Sequence, residues 1–562
     1  MLKNDRLRIN MKSYIPLLFF IIFISFVITA AVIVDNNITK ETVSQSSKIV
    51  GLNFTDVQLD SMLDGVNGHL KNYQNIRNAD LSNDVGSSLL FNPVPPGFVI
   101  NTKQKLVEFS HHNKVALPSN MDKLSWYSIG QLAELIKTKK ISCVDLTKYF
   151  LSRLKKYNHN LLCVVNFTED YALKQAAILD KEIAAGKYRG LLHGIPFGLK
   201  DLFAVKGYPT TWGSVPYKEQ VINYNSTVFN KLEAAGGILI AKLTMGELAM
   251  GDVWFGGMTR NPWDTSQGSS GSSAGSASSV AAGLLPFAIG TETWGSIISP
   301  STICGTTGLR PTYGRISRAG AMALSWSMDK VGPICRSAED CAIVFNILRG
   351  KDNIDQNVVD APFNYSSKSK PENLRYGYLS LHFRKNYDLK DNDSLTLITL
   401  KKMGYNIQPI EFKSEVPLQD LSIILEAEAG AAFDLLTRNY DVDKMVRQTK
   451  DAWPNIFRNA RFIPAVEYIN ANRLRTKLIK QINDIMENID VLVVPSLEDD
   501  SQLLFNLTGQ PCISVPNGFT SKGMPTSITF VGNLYDEASI LEAANKFQLL
   551  TDFNKKHPTL NW

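Results

Sequence analysis

Short apolar runs and amphipathic stretches alternate along residues 124–555 of the chain. The apolar runs have the length of buried strands, whereas apolar residues in the amphipathic stretches recur at three- and four-residue steps, as in helices. This alternation is typical of an α/β fold in which helices are layered on a mixed sheet. The predicted strands lie at 194–200, 237–241, 285–290, 490–494 and 512–515, and the predicted helices at 129–137, 143–156, 172–185, 338–348, 427–438 and 462–488.

Several of these helices have a recognisable start. Ser128, Ser142 and Ser337 each precede a predicted helix and are followed three residues later by Gln or Asp. A serine in that position can cap the first turn of a helix through its side-chain oxygen. Pro454 and Pro464 are expected to interrupt the chain ahead of the last predicted helix, because proline breaks a helix interior.

The longest apolar run lies near the N-terminus, where 14–34 contains 21 residues without a charge. As a helix it would span about 31 Å, close to the ~30 Å hydrocarbon core of a bilayer. Residues 1–12 carry four basic side chains and one acidic side chain, and such a flank stays in the cytoplasm. Residues 13–34 are therefore predicted to be a transmembrane signal anchor or, alternatively, a cleaved signal peptide. The first alternative makes a single-pass cell-membrane protein, and the second a periplasmic or secreted one.

Residues 35–123 precede the alternating region and are predicted to form a tether and a helical extension. The tether is the polar stretch 35–48, and a helix is predicted within 52–77 because apolar residues recur there at helical spacing. Polar runs within 353–425 predict surface insertions. The apolar positions of the N-terminal helix are Leu59, Met62, Leu63, Val66 and Leu70.

The composition is that of a globular protein, since 44% of the residues are apolar and 20% are charged. The net charge is +6, and residues 1–12 supply +3 of it, so the remainder is only mildly basic. That balance gives no reason to expect nucleic acid as a partner. The six cysteines are scattered without CxxC spacing. We therefore expect no metal site, and whether any cysteines form disulfides is left open.

The stretch 268–311 is rich in glycine and serine, yet it holds an apolar run at 284–289. A flexible linker has no reason to contain such a run. Glycines in this pattern let backbone approach another group closely, with hydroxyl groups directed at the same point. Upstream, Lys200 ends the apolar strand predicted at 194–200. Burial disfavours a charged amine, so the pKa of Lys200 should fall and the amine can act as a base.

Three motifs in this part of the chain are GIPFGLKD at 194–201, GSSAGS with a following VAAG at 271–283, and GTETWGSIISPS at 290–301. In this order and at this spacing they resemble the amidase signature family, which includes the A-type component of the amidotransferase, fatty acid amide hydrolase and bacterial peptide amidases. The resemblance covers roughly residues 124–547. It implies a large twisted mixed sheet with helices on both faces, in an amidase domain at 124–555 behind an N-terminal helix and helical extension.

The resemblance implies a catalytic triad of Lys200, Ser272 and Ser296. In the family a neutral lysine accepts a proton from the middle serine, which accepts one from the nucleophile, here Ser296. The middle serine of the family follows a cis peptide bond, which is expected here between Gly271 and Ser272. Other serines of the run compete for the middle position, but the distance to VAAG and the 24-residue step to Ser296 favour Ser272.

The residues before Ser296 are predicted to form an oxyanion hole. The backbone N–H groups of Thr293, Trp294 and Gly295 can point into one pocket. The family usually has Gly-Gly before the nucleophile, so Trp294 is a departure that places an indole near the site. Glu292 stands where many members have Asp, and we expect it to hold the loop rather than to act as a catalyst.

The predicted function is therefore that of an exported serine amidase that hydrolyses a small-molecule or peptide amide without a cofactor. Gly251 and Ser273 are predicted to contact the substrate. One alternative is a glutamine-hydrolysing A-type amidotransferase component, which the export segment opposes. Another is a non-catalytic anchored binding protein, which the retained triad opposes. A lipase-like GxSxG elbow at 271–275 is disfavoured because no clear Asp and His partners follow, and the oligomeric state is left open.

Overall fold

The structure is a computed structural model that describes residues 38–78, 81–498 and 500–560. The chain divides into two compact units, residues 1–81 and 82–562. The stretch 13–34, predicted as a signal anchor or signal peptide, lies outside the described residues. None of the helices in the described ranges is both long and apolar enough to cross a membrane.

The first unit contains, in its described part, helices α1 (Lys40–Ile49) and α2 (Asp56–Arg77). The side chain of Thr55 caps α2 in a reciprocal capping box, so the helix predicted within 52–77 is confirmed. The expectation of a tether at 35–48 is wrong from Lys40 onward. The Thr39 side chain accepts a hydrogen bond from the first turn of α1, and α1 contains neither glycine nor proline to interrupt it.

A large mixed sheet organises the second unit. Its strands, together with two short two-stranded ribbons, are β1 (Val164–Phe167), β2 (Pro196–Lys200), β3 (Ile238–Leu243), β4 (Val253–Trp254), β5 (Gly257–Met258), β6 (Arg260–Asn261), β7 (Asp264–Gly268), β8 (Phe287–Glu292), β9 (Thr307–Arg310), β10 (Lys330–Cys335), β11 (Tyr376–Leu379), β12 (Ile407–Ile410), β13 (Val491–Pro495), β14 (Cys512–Phe519) and β15 (Pro525–Gly532). Over the described residues the sheet has eleven strands in the order β1-β3-β2-β8-β10-β9-β14-β15-β13-β11-β12.

Helices flank this sheet, so the predicted α/β fold with a mixed sheet is confirmed. Pro454, expected to interrupt the chain, instead lies in the first turn of a helix, where its missing N–H leaves no bond unmade. The helices are α3 (Ile129–Lys137), α4 (Cys143–Leu161), α5 (Glu169–Ala184), α6 (Thr227–Ala234), α7 (Ala274–Ala281), α8 (Ile298–Cys304), α9 (Ala338–Leu348), α10 (Ser380–Arg384), α11 (Lys390–Lys402), α12 (Ile423–Ala432), α13 (Asp434–Arg438), α14 (Trp453–Ala460), α15 (Ala465–Met486), α16 (Ser501–Thr508) and α17 (Glu537–Thr551).

The stretch 353–425 differs most from the sequence prediction. Instead of surface insertions alone, it contributes β11 and β12, which pair in parallel at one edge of the sheet. Along the chain, α11 lies between these two strands. The two central residues of β12, Gln408 and Pro409, are exposed. A short edge strand with this pattern lacks the apolar run that predicts strands such as β2, β3 and β8.

The strands that carry the candidate site are β2 and β8, which are parallel neighbours and the third and fourth of the eleven strands. Parallel neighbours end at the same edge of a sheet, so residues that follow them come close together. Lys200 is the last residue of β2, and Thr293 is the first residue after β8. The short helices α7 and α8 begin directly after the two serine-containing loops.

Candidate active site

Lys200 is completely buried at the end of β2. Its Nζ donates hydrogen bonds to Ser272 Oγ at 2.8 Å, Ser273 Oγ at 3.1 Å and Thr291 Oγ1 at 2.9 Å. Within the described residues no carboxylate forms an ion pair with this amine. Burial lowers the pKa of Lys200 to about 7, although more distant carboxylates oppose the shift. At neutral pH a large fraction of the amine is therefore unprotonated and able to accept a proton.

The loop that carries Ser272 is closely packed. The peptide bond between Gly271 and Ser272 is cis, as the family resemblance implies. A Cβ at Gly271 would lie 1.8 Å from the carbonyl oxygen of Gly251, so only glycine fits there. Gly251 thus lies directly against the loop of the candidate proton relay. Its contact with substrate stays a prediction.

Ser273 is fully buried and immediately precedes α7. Its Oγ donates to the carbonyl of Thr291 at 3.1 Å and accepts from the N–H of Thr291 at 3.2 Å, besides accepting from Lys200. A hydroxyl has one donor and two acceptor sites, so these bonds use all of them. The contacts indicate that Ser273 fixes the position of the lysine, while its role in substrate binding stays a prediction.

Ser296 lies in the loop between β8 and α8 and keeps 8% of its surface exposed. Its carbonyl accepts a hydrogen bond from the N–H of Ser273 at 3.2 Å, which joins the two serine loops. Its hydroxyl makes no hydrogen bond to any described residue. The structure thus brings Lys200 and Ser272 into direct contact and joins the Ser296 loop to theirs, without a hydrogen bond between the hydroxyls of Ser272 and Ser296.

The loop before Ser296 leaves its backbone donors free. The N–H groups of Thr293, Trp294 and Gly295 donate to no acceptor within the described ranges. Gly295 has a φ of +80°, and a Cβ there would lie 2.1 Å from the side-chain oxygen of Gln502, so the turn requires glycine. Free N–H groups beside a hydroxyl are what an oxyanion hole needs. The Trp294 side chain is 38% exposed.

Glu292 holds this loop in place. Its buried carboxylate accepts from the N–H groups of Ile297 at 2.8 Å and Ile298 at 2.9 Å, directly after the candidate nucleophile. It also accepts from Arg310 at 2.6 Å and from Asn506 at 2.8 Å. Burial alone would raise the pKa of Glu292, but the charge of Arg310 and these hydrogen bonds outweigh it and lower the pKa. This is the loop-holding role that the sequence predicted.

Two site residues were not recognised in the sequence. Thr291 accepts from Lys200, and Asp329 accepts a hydrogen bond of 2.6 Å from the hydroxyl of Thr293. Burial raises the pKa of Asp329 even though it accepts several hydrogen bonds. The alternation of side chains in a strand could have indicated Thr291, because positions 291 and 293 share a face opposite to that of Glu292. Asp329 has no comparable local signal.

The groups that converge here are an amine, hydroxyls and backbone N–H groups. All six cysteines are buried and without disulfides. In the described parts of the chain, no three His, Cys, Asp or Glu residues are placed to hold a metal ion. The arrangement can supply a hydroxyl nucleophile, an amine that accepts its proton and donors for a developing negative charge.

Comparison with known proteins gives consistent results over the second unit. A family model described as Amidase matches residues 145–501, which include the three candidate triad residues. The A-type component of glutamyl-tRNA(Gln) amidotransferase from Coxiella burnetii is 33% identical over 483 residues, covering 77% of this chain and 99% of that protein. The native peptide amidase from Stenotrophomonas maltophilia has a TM-score of 0.68 at 25% identity, covering 77% of this chain and 99% of that one. A bacterial aryl acylamidase shares the fold, with a TM-score of 0.69 at 22% identity, covering 77% of this chain and 99% of the acylamidase.

Proposed function

The chain belongs to the amidase signature family, and we propose that it is a serine amidase that converts an amide to a carboxylic acid and ammonia or an amine. The observation that carries this proposal is the buried amine of Lys200, 2.8 Å from the hydroxyl of Ser272 and without a carboxylate partner among the described residues. A lysine in this environment acts as a base at neutral pH, and the hydroxyl of Ser296 lies in the adjoining loop.

Acylation begins when Ser296 Oγ attacks the amide carbon. The proton of Ser296 passes to Ser272 Oγ while the proton of Ser272 passes to the amine of Lys200. For this step the unbonded hydroxyl of Ser296 turns toward Ser272. The negative oxygen of the tetrahedral intermediate accepts from the N–H groups of the loop 293–296, and each such donor is worth about 10²–10³ in rate.

Collapse of the intermediate breaks the carbon–nitrogen bond. Lys200 returns its proton through Ser272 to the departing nitrogen, which therefore leaves as a neutral amine or ammonia. An ester between the acyl group and Ser296 remains. Water then attacks this ester with the same relay as base, the acid is released and the Ser296 hydroxyl is restored.

The proposal is tested by labelling the protein with a fluorophosphonate and locating the adduct by mass spectrometry. An adduct on Ser296 is expected, because the reagent reacts with an activated serine hydroxyl. Ammonia release from a panel of C-terminally amidated peptides and simple acyl amides then identifies the kind of substrate. Absence of both an adduct and turnover would instead favour a non-catalytic binding protein on the same fold.

A second candidate is a glutamine-hydrolysing component that delivers ammonia to a partner. The 33% identity to the A-type component of an amidotransferase supports it. The two candidates differ in substrate, because a glutaminase hydrolyses free glutamine, whereas an independent amidase acts on other amides without a partner. Turnover confined to glutamine would favour the amidotransferase component, and turnover of amidated peptides by the purified chain alone would favour the amidase.

The proposal includes export and membrane attachment through residues 13–34. Support comes from the uncharged run behind a basic N-terminal flank. Membrane fractionation of the full chain and of a variant that lacks residues 1–34 tests this. The full chain should remain with membranes after a high-salt wash, and protease added outside intact cells or spheroplasts should reach its second unit. Recovery in the cytosol would contradict the proposal.

A further inference from the structure

A cavity of about 350 Å³ lies beside the candidate site, within the second unit. Its lining includes Thr291 and Thr293. Thr291 accepts a hydrogen bond from Lys200 at 2.9 Å, so only one side chain separates the cavity from the candidate base. Its volume is within the range of small-molecule sites, about 300–1,000 Å³.

One wall of this cavity comes from residues 83–90, which we call the upstream segment. This segment lies ahead of the region matched by the family model, residues 145–501. Asn83 fixes its start, because its side-chain amide donates to the carbonyl of Ala323 at 3.0 Å and accepts from the N–H of Ala323 at 2.7 Å. Just past its end, the ring of Phe91 packs under the guanidinium of Arg475, whose Cζ lies 3.5 Å from the ring centroid. The wall is therefore held at both ends.

The charged side chains deep in the cavity already have partners. Arg318 forms a two-pronged ion pair with Asp355, with contacts of 3.0 and 3.2 Å. Asp329 accepts from the hydroxyl of Thr293 and from two backbone N–H groups. Lys330 is buried and donates to the carbonyl of Met328. Because Arg318 is paired, Asp329 is hydrogen-bonded and burial lowers the pKa of Lys330, the inner part of the cavity favours a group without charge.

The mouth of the cavity has exposed polar side chains, such as Asp84 and Gln356, and a group of exposed apolar ones. Leu89 is 77% exposed, Leu90 is 48% exposed and Ile354 is 69% exposed, and all three line the cavity. Single exposed apolar residues need no explanation, but three around one opening mark a place where an apolar group binds.

We infer that this cavity receives an uncharged apolar substituent of the amide substrate, and that the upstream segment thereby sets the substrate preference of the enzyme. The inference rests on the proposed amidase function. It assigns a selectivity role to residues that precede the matched family region. The substituent is either the acyl chain or the group on the amide nitrogen, which the experiment distinguishes.

The test measures kcat/KM for two series of uncharged amides, one with lengthening acyl chains and one with lengthening N-alkyl groups on acetamide. We expect kcat/KM to rise about fourfold per added methylene in one series until the cavity is full. The Leu90→Asp variant should lower the ratio of long-chain to short-chain kcat/KM in that series by about tenfold or more. The matched control is Val85→Asp, since Val85 is 49% exposed in the same segment but does not line the cavity.

A length preference in neither series, or an equal change of the ratio in both variants, would overturn the inference. Circular dichroism of each variant shows whether it is folded. Calorimetric binding of the longest amide to the Ser296→Ala protein, with and without Leu90→Asp, provides a readout that needs no turnover. If the unmodified protein hydrolyses no amide but Leu90→Asp weakens binding, the proposed function is rejected and the cavity site is retained. If the unmodified protein hydrolyses amides but Leu90→Asp changes neither binding nor chain-length preference, the cavity site is rejected and the proposed function is retained.

Discussion

Two buried lysines on neighbouring strands show how one residue type serves two purposes in this protein. Lys200 on β2 pairs in register with Leu243, and Lys242 on β3 pairs with Leu199, so the two lysines point to opposite faces of the sheet. Both are completely buried. Lys242 forms an ion pair of 2.8 Å with Asp201, whereas Lys200 is bonded to hydroxyls and to one backbone carbonyl.

The difference between the two lysines lies in the partner. Burial lowers the pKa of Lys242 as well, but the carboxylate of Asp201 in contact with it opposes this shift and helps to keep the ammonium charged, which suits a structural ion pair. Hydroxyl partners leave most of the cost of burying the charge in place, so the pKa of Lys200 falls to about 7. The Lys242 face of the sheet is therefore a structural site, and the Lys200 face is able to transfer protons.

The largest effect is expected at Ser296, which tests whether the Lys200 face is catalytic. Ser296→Ala should lower kcat by about 10⁴–10⁶, because no other hydroxyl of the loop can form the acyl ester. Steady-state amide hydrolysis and fluorophosphonate labelling measure this. The control is Ser299→Ala, which removes a hydroxyl three residues further on that is bonded only to Gln502 among the described residues. Equal activity in the two variants would exclude Ser296 as the nucleophile.

Replacing each lysine by methionine should separate activity from stability. Lys200→Met should lower kcat/KM by about 10²–10⁴, because it removes the base. It should cost little stability, because methionine is of similar length and buries no charge. Lys242→Met should lower the free energy of unfolding by about 3–5 kcal/mol, because it leaves the carboxylate of Asp201 buried without its cation. Kinetics and urea denaturation of both variants measure this.

The double variant Lys242→Met with Asp201→Asn is the control for the ion pair. It removes both charges and should recover part of the stability lost in Lys242→Met. If Lys200→Met proves to be the unstable variant and Lys242→Met the inactive one, the assignment of the two faces is reversed.

The pH dependence of activity should report the lowered pKa of Lys200. Only the unprotonated amine accepts a proton, so kcat/KM should rise about tenfold per pH unit below the pKa of about 7 and level off above it. The unfolded lysine has a pKa of about 10.4. Between these values the unfolded chain binds more protons than the folded one, so this group makes the free energy of unfolding rise with pH.

Initial rates and urea denaturation at pH values on both sides of 7 test this prediction. In Lys200→Met, the part of this rise in the free energy of unfolding with pH that comes from Lys200 should be absent. An ascending limb centred near the ordinary lysine value would show that the amine is charged in the working enzyme.

The candidate catalytic lysine was recognisable from the sequence only in part. Lys200 ends an apolar run that predicts burial, but Lys242 lies in an equally apolar run and forms an ion pair instead. The carboxylate next to Lys200 in the chain, Asp201, contacts Lys242 rather than Lys200. Which lysine contacts Asp201 depends on the alternation of side chains along each strand and on how the strands pair, and a short sequence motif does not specify that pairing.

The same limit explains which parts of the fold were found. Central strands such as β2, β3 and β8 are buried on both faces, so their apolar runs are visible in the sequence. β11 and its neighbour β12, the edge strand, lack such runs. The cavity beside Thr291 was also invisible, because its wall comes from residues about 200 positions upstream and depends on tertiary packing alone.

The smallest effect is expected at Trp294, where this chain departs from the usual Gly-Gly of its family. Trp294 is 38% exposed, so Trp294→Ala should lower the free energy of unfolding by less than the ~3 kcal/mol or more expected for a fully buried tryptophan. The backbone N–H remains, so stabilisation of the oxyanion should be largely kept. The indole is two residues from Ser296, and an aromatic contact is worth about 0.5–1.5 kcal/mol. We therefore expect KM for amides with an aromatic substituent to rise about two- to tenfold while kcat changes less, and Trp294→Phe to restore most of the loss. A fall in kcat of about a hundredfold in Trp294→Ala would instead place the indole in the catalytic step. Catalysis on the Lys200 face would then depend on an aromatic side chain as well as on the amine and the hydroxyls.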